Sequence, residues 1–155
     1  MGSTLLCIAF YVGTQIEKRY KKRAIFYEEF LEFLRFAARE IRYLRTDMLS
    51  ILSEFAKNDN KMIAMLLLEV NKQIIAGKSV QVKEPILDTN ECLQIDSFFR
   101  DIAKCDAEDS MTLLTRYESE ICDKSIIVNK QKKEKGELAK KLCILSGIAL
   151  MIVVI

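Results

Sequence analysis

The chain contains no histidine and no tryptophan, a single proline at Pro85, and only five glycines among 155 residues. Without histidine it lacks the commonest general base and the commonest metal ligand, so any catalytic or metal centre would have to be built from carboxylates and thiols alone. So little proline and glycine leaves little turn chemistry, while half of the residues are apolar. That combination describes one helix-rich domain. The five cysteines, Cys7, Cys92, Cys105, Cys122 and Cys143, have no CxxC spacing. An odd number of scattered thiols reads as small apolar residues, not as disulfides or zinc ligands.

Two short echoes of catalytic motifs fail on their own terms. Gly77-Lys78-Ser79 imitates the end of a phosphate-binding loop, but the glycine required earlier in that loop is Lys72, and the segment follows a helical pattern where a strand is needed. The acid pairs Glu28/Glu29 and Glu118/Glu120 fall on helix faces expected to be solvated. The expectation is a protein without enzymatic activity, cofactor, metal or small-molecule substrate. The formal charge is +2, from 24 basic and 22 acidic residues. The basic residues cluster beside apolar runs without interleaved stacking aromatics, which argues against nucleic acid as a partner.

The apolar runs themselves are the main positive feature. Residues 4–16 and 142–155 read as membrane segments, and each touches a basic cluster on the side facing the middle of the chain. The flanking residues are Lys18, Arg19, Lys21, Lys22 and Arg23 at the front, and Lys135, Lys140 and Lys141 at the back. Lysine and arginine beside short membrane segments are retained in the cytoplasm, which assigns residues 17–141 to a cytoplasmic helical domain and sends both ends of the chain across the membrane. Basic residues at that edge also suit anionic headgroups. Each run is short: about 14 residues rise ~21 Å, against roughly 30 Å of hydrocarbon. Snorkelling by Lys140 and Lys141 would lengthen the second to about 18 residues. Two other readings compete. A signal peptide would carry its positive charges before the apolar core, and here they follow it. A soluble helical oligomer could bury both apolar ends in a shared core, since runs of this length are often core helices.

Between these runs the pattern is helical throughout. Phe26, Phe30, Phe33, Ala37, Ile41, Leu44 and Met48 recur at spacings of three and four, marking one face of a helix turned to a core. Thr46 or Asp47 caps a short helix carrying Met48, Leu49, Ile51, Leu52 and Phe55, and Lys57-Asn58-Asp59-Asn60 marks a turn with a new cap. A helix over 62–76 stops at Gly77 in a left-handed cap. Residues 78–89 form the one extended connection. A helix then starts at Thr89 or Asn90, runs through Cys105, and places Leu93, Phe98, Phe99 and Ile102 inside. Asp106 to Asp109 cap a final helix whose core face is Leu114, Tyr117, Ile121 and Val128, interrupted by Ser125. The expected fold is all-α: an antiparallel helical bundle whose two long helices continue into the N- and C-terminal membrane segments.

The whole chain resembles the stage III sporulation protein AB family. At the front the resemblance lies in the basic segment from Glu17 to Arg23, in Phe30-Leu31-Glu32-Phe33-Leu34, and in Glu40-Ile41-Arg42-Tyr43-Leu44-Arg45-Thr46. At the back it lies in Lys133-Glu134-Lys135-Gly136-Glu137-Leu138 and the terminal isoleucine-rich tail. Ala103-Lys104 and Met111 depart from the family pattern, which has a Leu-Gly pair and a glutamine there. The resemblance implies a membrane protein of endospore formers whose cytoplasmic domain is similar to that of the platform protein of type II secretion systems. It implies a scaffold of the channel apparatus between mother cell and forespore, placed in the mother-cell membrane beside other channel subunits and a secretion-type ATPase. A platform subunit of a general secretion or pilus-like machine is the alternative. On either reading Arg35, Arg39, Arg42 and Arg45, at spacings of three and four, are the candidate partner-binding residues. Their plainer reading is a solvated face pairing with Glu32 and Glu40.

Overall fold

The computed structural model describes residues 2–57, 61–105 and 107–154. Among them every regular element is helical: α1 (Gly2–Leu44), α2 (Met48–Ala56), α3 (Ala64–Ile75), α4 (Thr89–Ile102) and α5 (Ala107–Gln131), followed by a π-helical turn over Lys132–Gly136 and α6 (Glu137–Val154). The chain divides into two compact units. One joins residues 1–24 to residues 125–155, and the other is residues 25–124.

The larger unit is built on phenylalanine. Phe26, Phe30 and Phe33 of α1, Phe55 of α2 and Phe98 and Phe99 of α4 are buried, with Tyr117 of α5 beside them. Phe30 meets Phe98 edge-on at 5.8 Å and Phe99 at 6.1 Å, while Phe33 reaches Phe55 at 5.4 Å and Phe98 reaches Tyr117 at 4.9 Å. Edge-on pairs at these separations set the positive ring edge against the negative face of its neighbour, adding to the gain from burial. The three-and-four spacing on α1 therefore holds from Phe26 to Ile41, all buried. It does not extend further. Leu44 is 69% exposed, and α1 ends there because Arg45 takes a left-handed backbone, φ 51°. Met48 belongs to the next helix.

Local chemistry sets most of the other boundaries. Asp47 caps α2, its carboxylate accepting from the Ser50 N–H at 3.0 Å and the Ser50 hydroxyl at 2.7 Å. These bonds, the hydroxyl's first, hold its pKa below the ordinary aspartate value. Gly77 follows α3 with φ 66°, the left-handed stop expected from sequence. Helix α4 starts at Thr89, one of the two expected positions, capped by Asp88 in a reciprocal capping box with Glu91, but it ends at Ile102, short of Cys105. Leu93 lies on the outer side of α4, 55% exposed, where an inward position was expected. The helix turns Ile95, Phe98, Phe99 and Ile102 inward, and Leu93 is off that face. The turn expected at 58–60 and the cap at Asp106 lie outside the described residues.

The extended connection after Gly77 is tied down on both sides. Val80, Val82 and Leu87 are buried. The Val82 N–H donates to buried Asp96 at 2.5 Å, and Gln73 accepts from the Gln81 N–H at 2.8 Å. A second buried link joins α1 to α4, where the Tyr27 hydroxyl donates to Glu91 at 2.6 Å.

The Phe30→Ala variant is expected to lose about 3–5 kcal/mol of unfolding free energy, whereas Leu93→Ala should stay within roughly 0.5 kcal/mol of the parent. Denaturant titration of the full chain in detergent, followed by circular dichroism, reads both.

Candidate functional site

In the smaller unit, two helical segments lie antiparallel. Gly13 of α1 packs on Lys140 and Cys143 of α6, while Tyr20 and Glu17 pack on Gly136, so contacts on one segment ascend as those on the other descend. The approach is close. A Cβ placed on Gly13 would stand 3.1 Å from the Cys143 Cβ and 3.3 Å from the Lys140 Cα. Gly136, buried beneath Tyr20, lies in the π-helical turn, where the i→i+5 pattern takes up an extra residue without breaking the helix.

The distribution of side chains around this contact is the reverse of a soluble core. The buried positions include Gly13, Gly136 and Gly147. The exposed ones include Phe10, Tyr11, Val12, Leu142, Leu145, Ile148 and Ile152, the last 70% exposed. Within the apolar stretches the hydroxyls of Thr14 and Ser146 bond back to their own helices, Thr14 donating to the Tyr11 carbonyl at 2.8 Å and Ser146 to the Cys143 carbonyl at 3.0 Å. Among the described residues no helix is long and apolar enough to cross a membrane.

The charged residues next to these stretches are organised around Glu17, which belonged to the basic segment in the sequence reading without a role of its own. Its carboxylate contacts the Lys21 ammonium at 2.8 Å and the Lys140 ammonium at 3.0 Å, the second joining the two segments. Hydrogen bonding to Lys21, then to Lys140, holds the Glu17 pKa below the ordinary glutamate value. Lys18, Arg19, Lys22, Lys135 and Lys141 are exposed, and Arg23 is half-buried.

In the larger unit the four arginines separate into distinct environments. Arg35 is engaged within the molecule, its Nε 2.9 Å from Glu118. Arg39 lies over the Phe36 ring at 5.5 Å. Arg42 is exposed. Arg45 borders a cleft of about 370 Å³ whose walls include Ile41, Met48, Ile74 and Ile102, and exposed Tyr43 and Leu44 lie in the same stretch of chain. The expected pairing with Glu32 is not made by these arginines: Glu32 takes Lys61, whose ammonium also lies 4.5 Å from the Phe55 ring centre. The acid pairs are likewise engaged. Glu29 accepts from the Ile63 N–H at 3.0 Å, and Glu120 accepts from Gln94 at 3.0 Å. Lys61 and Glu29 had no periodic signal to mark them, because both act across a turn between separate helices.

None of the five cysteines is in a disulfide; Cys7 is exposed and the others are half-buried. Among the described residues no group of three or more cysteine, aspartate and glutamate side chains could hold a metal ion. The Gly77-Lys78-Ser79 echo is part of the helix stop after α3.

Compared with known proteins, the chain matches the family described as stage III sporulation protein AB over residues 1–155. No curated protein and no solved structure matches it.

The lowered Glu17 pKa gives a pH dependence of definite sign. The stability it contributes is fully present above the unfolded glutamate value of about 4.3 and is lost as pH falls through the lower folded value. Carboxyl-carbon NMR of the full chain in micelles should place the Glu17 titration below the ordinary range, with Lys21→Ala moving it upward more than Lys140→Ala. An ordinary titration in the parent chain would exclude the bridge.

Proposed function

From its membership of the stage III sporulation protein AB family, which gives the chain a role in sporulation, we propose that it is a non-enzymatic membrane scaffold of the channel apparatus between mother cell and forespore. The observation that carries this reading is the arrangement of the smaller unit, with small residues between the helices, large apolar residues outside, and basic residues at one end. Large apolar groups on the outside are costly in water, at roughly 25 cal/mol per Å², and carry no such cost in hydrocarbon. Lysines and arginines beside them match an anionic leaflet. In this reading residues 4–16 and 142–155 are held in the mother-cell membrane around the forespore and residues 17–141 face its cytoplasm.

The cytoplasmic part docks a secretion-type ATPase. The stretch from Arg39 to Arg45 supports this surface: three exposed arginines beside exposed Tyr43 and Leu44, leading to an apolar-walled cleft. A partner element with an apolar face and acidic flanks fits it, charge setting the encounter and apolar burial the residence time. Arg35 is the weakest member of the set, because binding a partner would require it to leave Glu118. A general secretion platform would present the same surface, and the two readings separate by where and when the protein gathers.

The test uses the full chain in its sporulating host. Immunofluorescence should collect around the engulfed forespore, whereas uniform envelope signal in growing cells would point to a general secretion platform. Changing Arg39 and Arg42 together to glutamate is expected to leave membrane extraction unchanged and to lower ATPase co-purification at least about tenfold, a loss of roughly 1.4 kcal/mol. Arg35→Gln should change co-purification little. Equal ATPase recovery with the double variant would remove the stripe from the interface.

A further inference from the structure

The smaller unit carries an inference about how the chain meets the bilayer, and it rests on the membrane reading above. We propose that the two apolar segments enter the membrane only as a preassembled antiparallel pair, locked by the Gly13–Cys143 contact and the Glu17–Lys140 bridge, with lipid acyl chains as the occupant of the outer face.

Each segment alone is a poor span, since about 14 apolar residues rise ~21 Å against roughly 30 Å of hydrocarbon. Pairing lengthens neither run but lowers the cost of inserting them together in two ways. First, in lipid there is little hydrophobic drive between helices, and association depends on close backbone approach at small residues. The contact at Gly13 is of that kind: an added Cβ would stand 3.1 Å from the Cys143 Cβ and 3.3 Å from the Lys140 Cα, tighter than ordinary packing, so even alanine requires its neighbours to give way slightly. Second, the charges adjoining the segments are partly neutralised within the pair. Glu17 lies one residue beyond the first apolar segment and Lys140 two residues before the second, and their 3.0 Å bridge cancels a charge on each where the surroundings become apolar.

The choice of lipid over a protein occupant rests on three features. Apolar residues are exposed on both segments: Phe10 and Tyr11 on one, and Leu142, Leu145 and Ile152 on the other. The hydroxyls of Thr14 and Ser146 bond back to their own helices, as those of Ser97 and Thr115 do in the larger unit, so neither obstructs contact with lipid. The basic residues that flank both segments, among them Lys18, Lys22 and Lys141, are complementary to anionic headgroups.

The experiment is flotation of the full chain with phosphatidylglycerol–phosphatidylcholine vesicles after alkaline carbonate wash. The parent chain is expected to float. Gly13→Leu should reduce the floated fraction at least about fivefold, while Ala149→Leu, at an exposed position of α6, should leave it unchanged. Gly13→Ala should have an intermediate effect that adding Cys143→Gly relieves, an outcome that general misfolding would not give. Separately, Gly13→Cys oxidised in the same vesicles should link to native Cys143 within one chain, because a Cβ contact of 3.1 Å is only a few tenths of an ångström below the roughly 3.5–4.5 Å of a disulfide. Equal flotation of the parent and Gly13→Leu would overturn the pairing requirement and leave the membrane reading standing. A cross-linked dimer in place of the internal link would also overturn it, and failure of the parent to float would remove both.

Discussion

The larger unit depends on the ring of Phe30. It lies 6.0 Å from both Phe26 and Phe33 on its own helix and about as far from Phe98 and Phe99 on α4. A single side chain thus aligns the two helices that supply most of the buried aromatic rings. Phe33 passes that alignment to α2 through Phe55, and Phe98 passes it to α5 through Tyr117. The polar groups that accompany this cluster follow from it. Once α1 and α4 are joined at Phe30, Tyr27 stands within hydrogen-bond reach of Glu91. Asp96 on the same α4 turns inward and holds the Val82 N–H, fixing a connection that has no regular backbone pairing. A buried carboxylate costs stability unless it is bonded, and these two are bonded to donors supplied by the fold itself.

Helix α1 contributes to both units under opposite rules. From Phe26 to Ile41 its large apolar residues are inside and its charges outside, the pattern of a chain folding in water. Around Gly13 the smallest residue is inside, and Phe10 and Tyr11 are outside. The transition falls in Glu17 to Arg23, where the basic residues gather. On the membrane reading proposed above, outward Phe10 and Tyr11 meet hydrocarbon and the inward glycine permits close helix approach, whereas in water such outward residues would be a liability. On that reading the same amino-acid types serve two solvents within one helix.

The sequence was most readable where one residue decides the local structure. Gly77 ends α3 because its backbone enters the left-handed region, and Asp47 caps α2 through its own carboxylate. Periodicity recovered the core face of α1 and that of α5, including Leu114, Tyr117 and Ile121. It failed at Leu44, because spacing records which side of a helix a residue occupies and not whether a neighbour is present to cover it. It failed at Leu93 for a related reason: apolar character was read as inward direction, though the position lies off the inward row of α4. Charge pairing was the least readable level. Arg35 finds Glu118, which is 83 positions away in the chain, and Glu32 takes Lys61 from beyond α2, leaving the nearby arginines to other surroundings. Such partners are chosen by packing, after the helices have been aligned.

That ordering has a consequence for the four arginines. A stripe defined by spacing alone treats them as equivalent, but an arginine already in an ion pair must give that pair up to bind elsewhere, and much of the gain is cancelled. Arg35 is in that position. Arg39 lies instead over the Phe36 ring, 5.5 Å from its centre, where the ring face attracts the guanidinium. Arg45 adds a different element: its left-handed backbone ends α1 at the mouth of the apolar-walled cleft, so charge and apolar surface are brought together by a conformation that costs about 1–2 kcal/mol in an L-residue. Glycine would occupy this backbone position without that cost. An arginine at this position places a charged side chain among the residues that line the cleft.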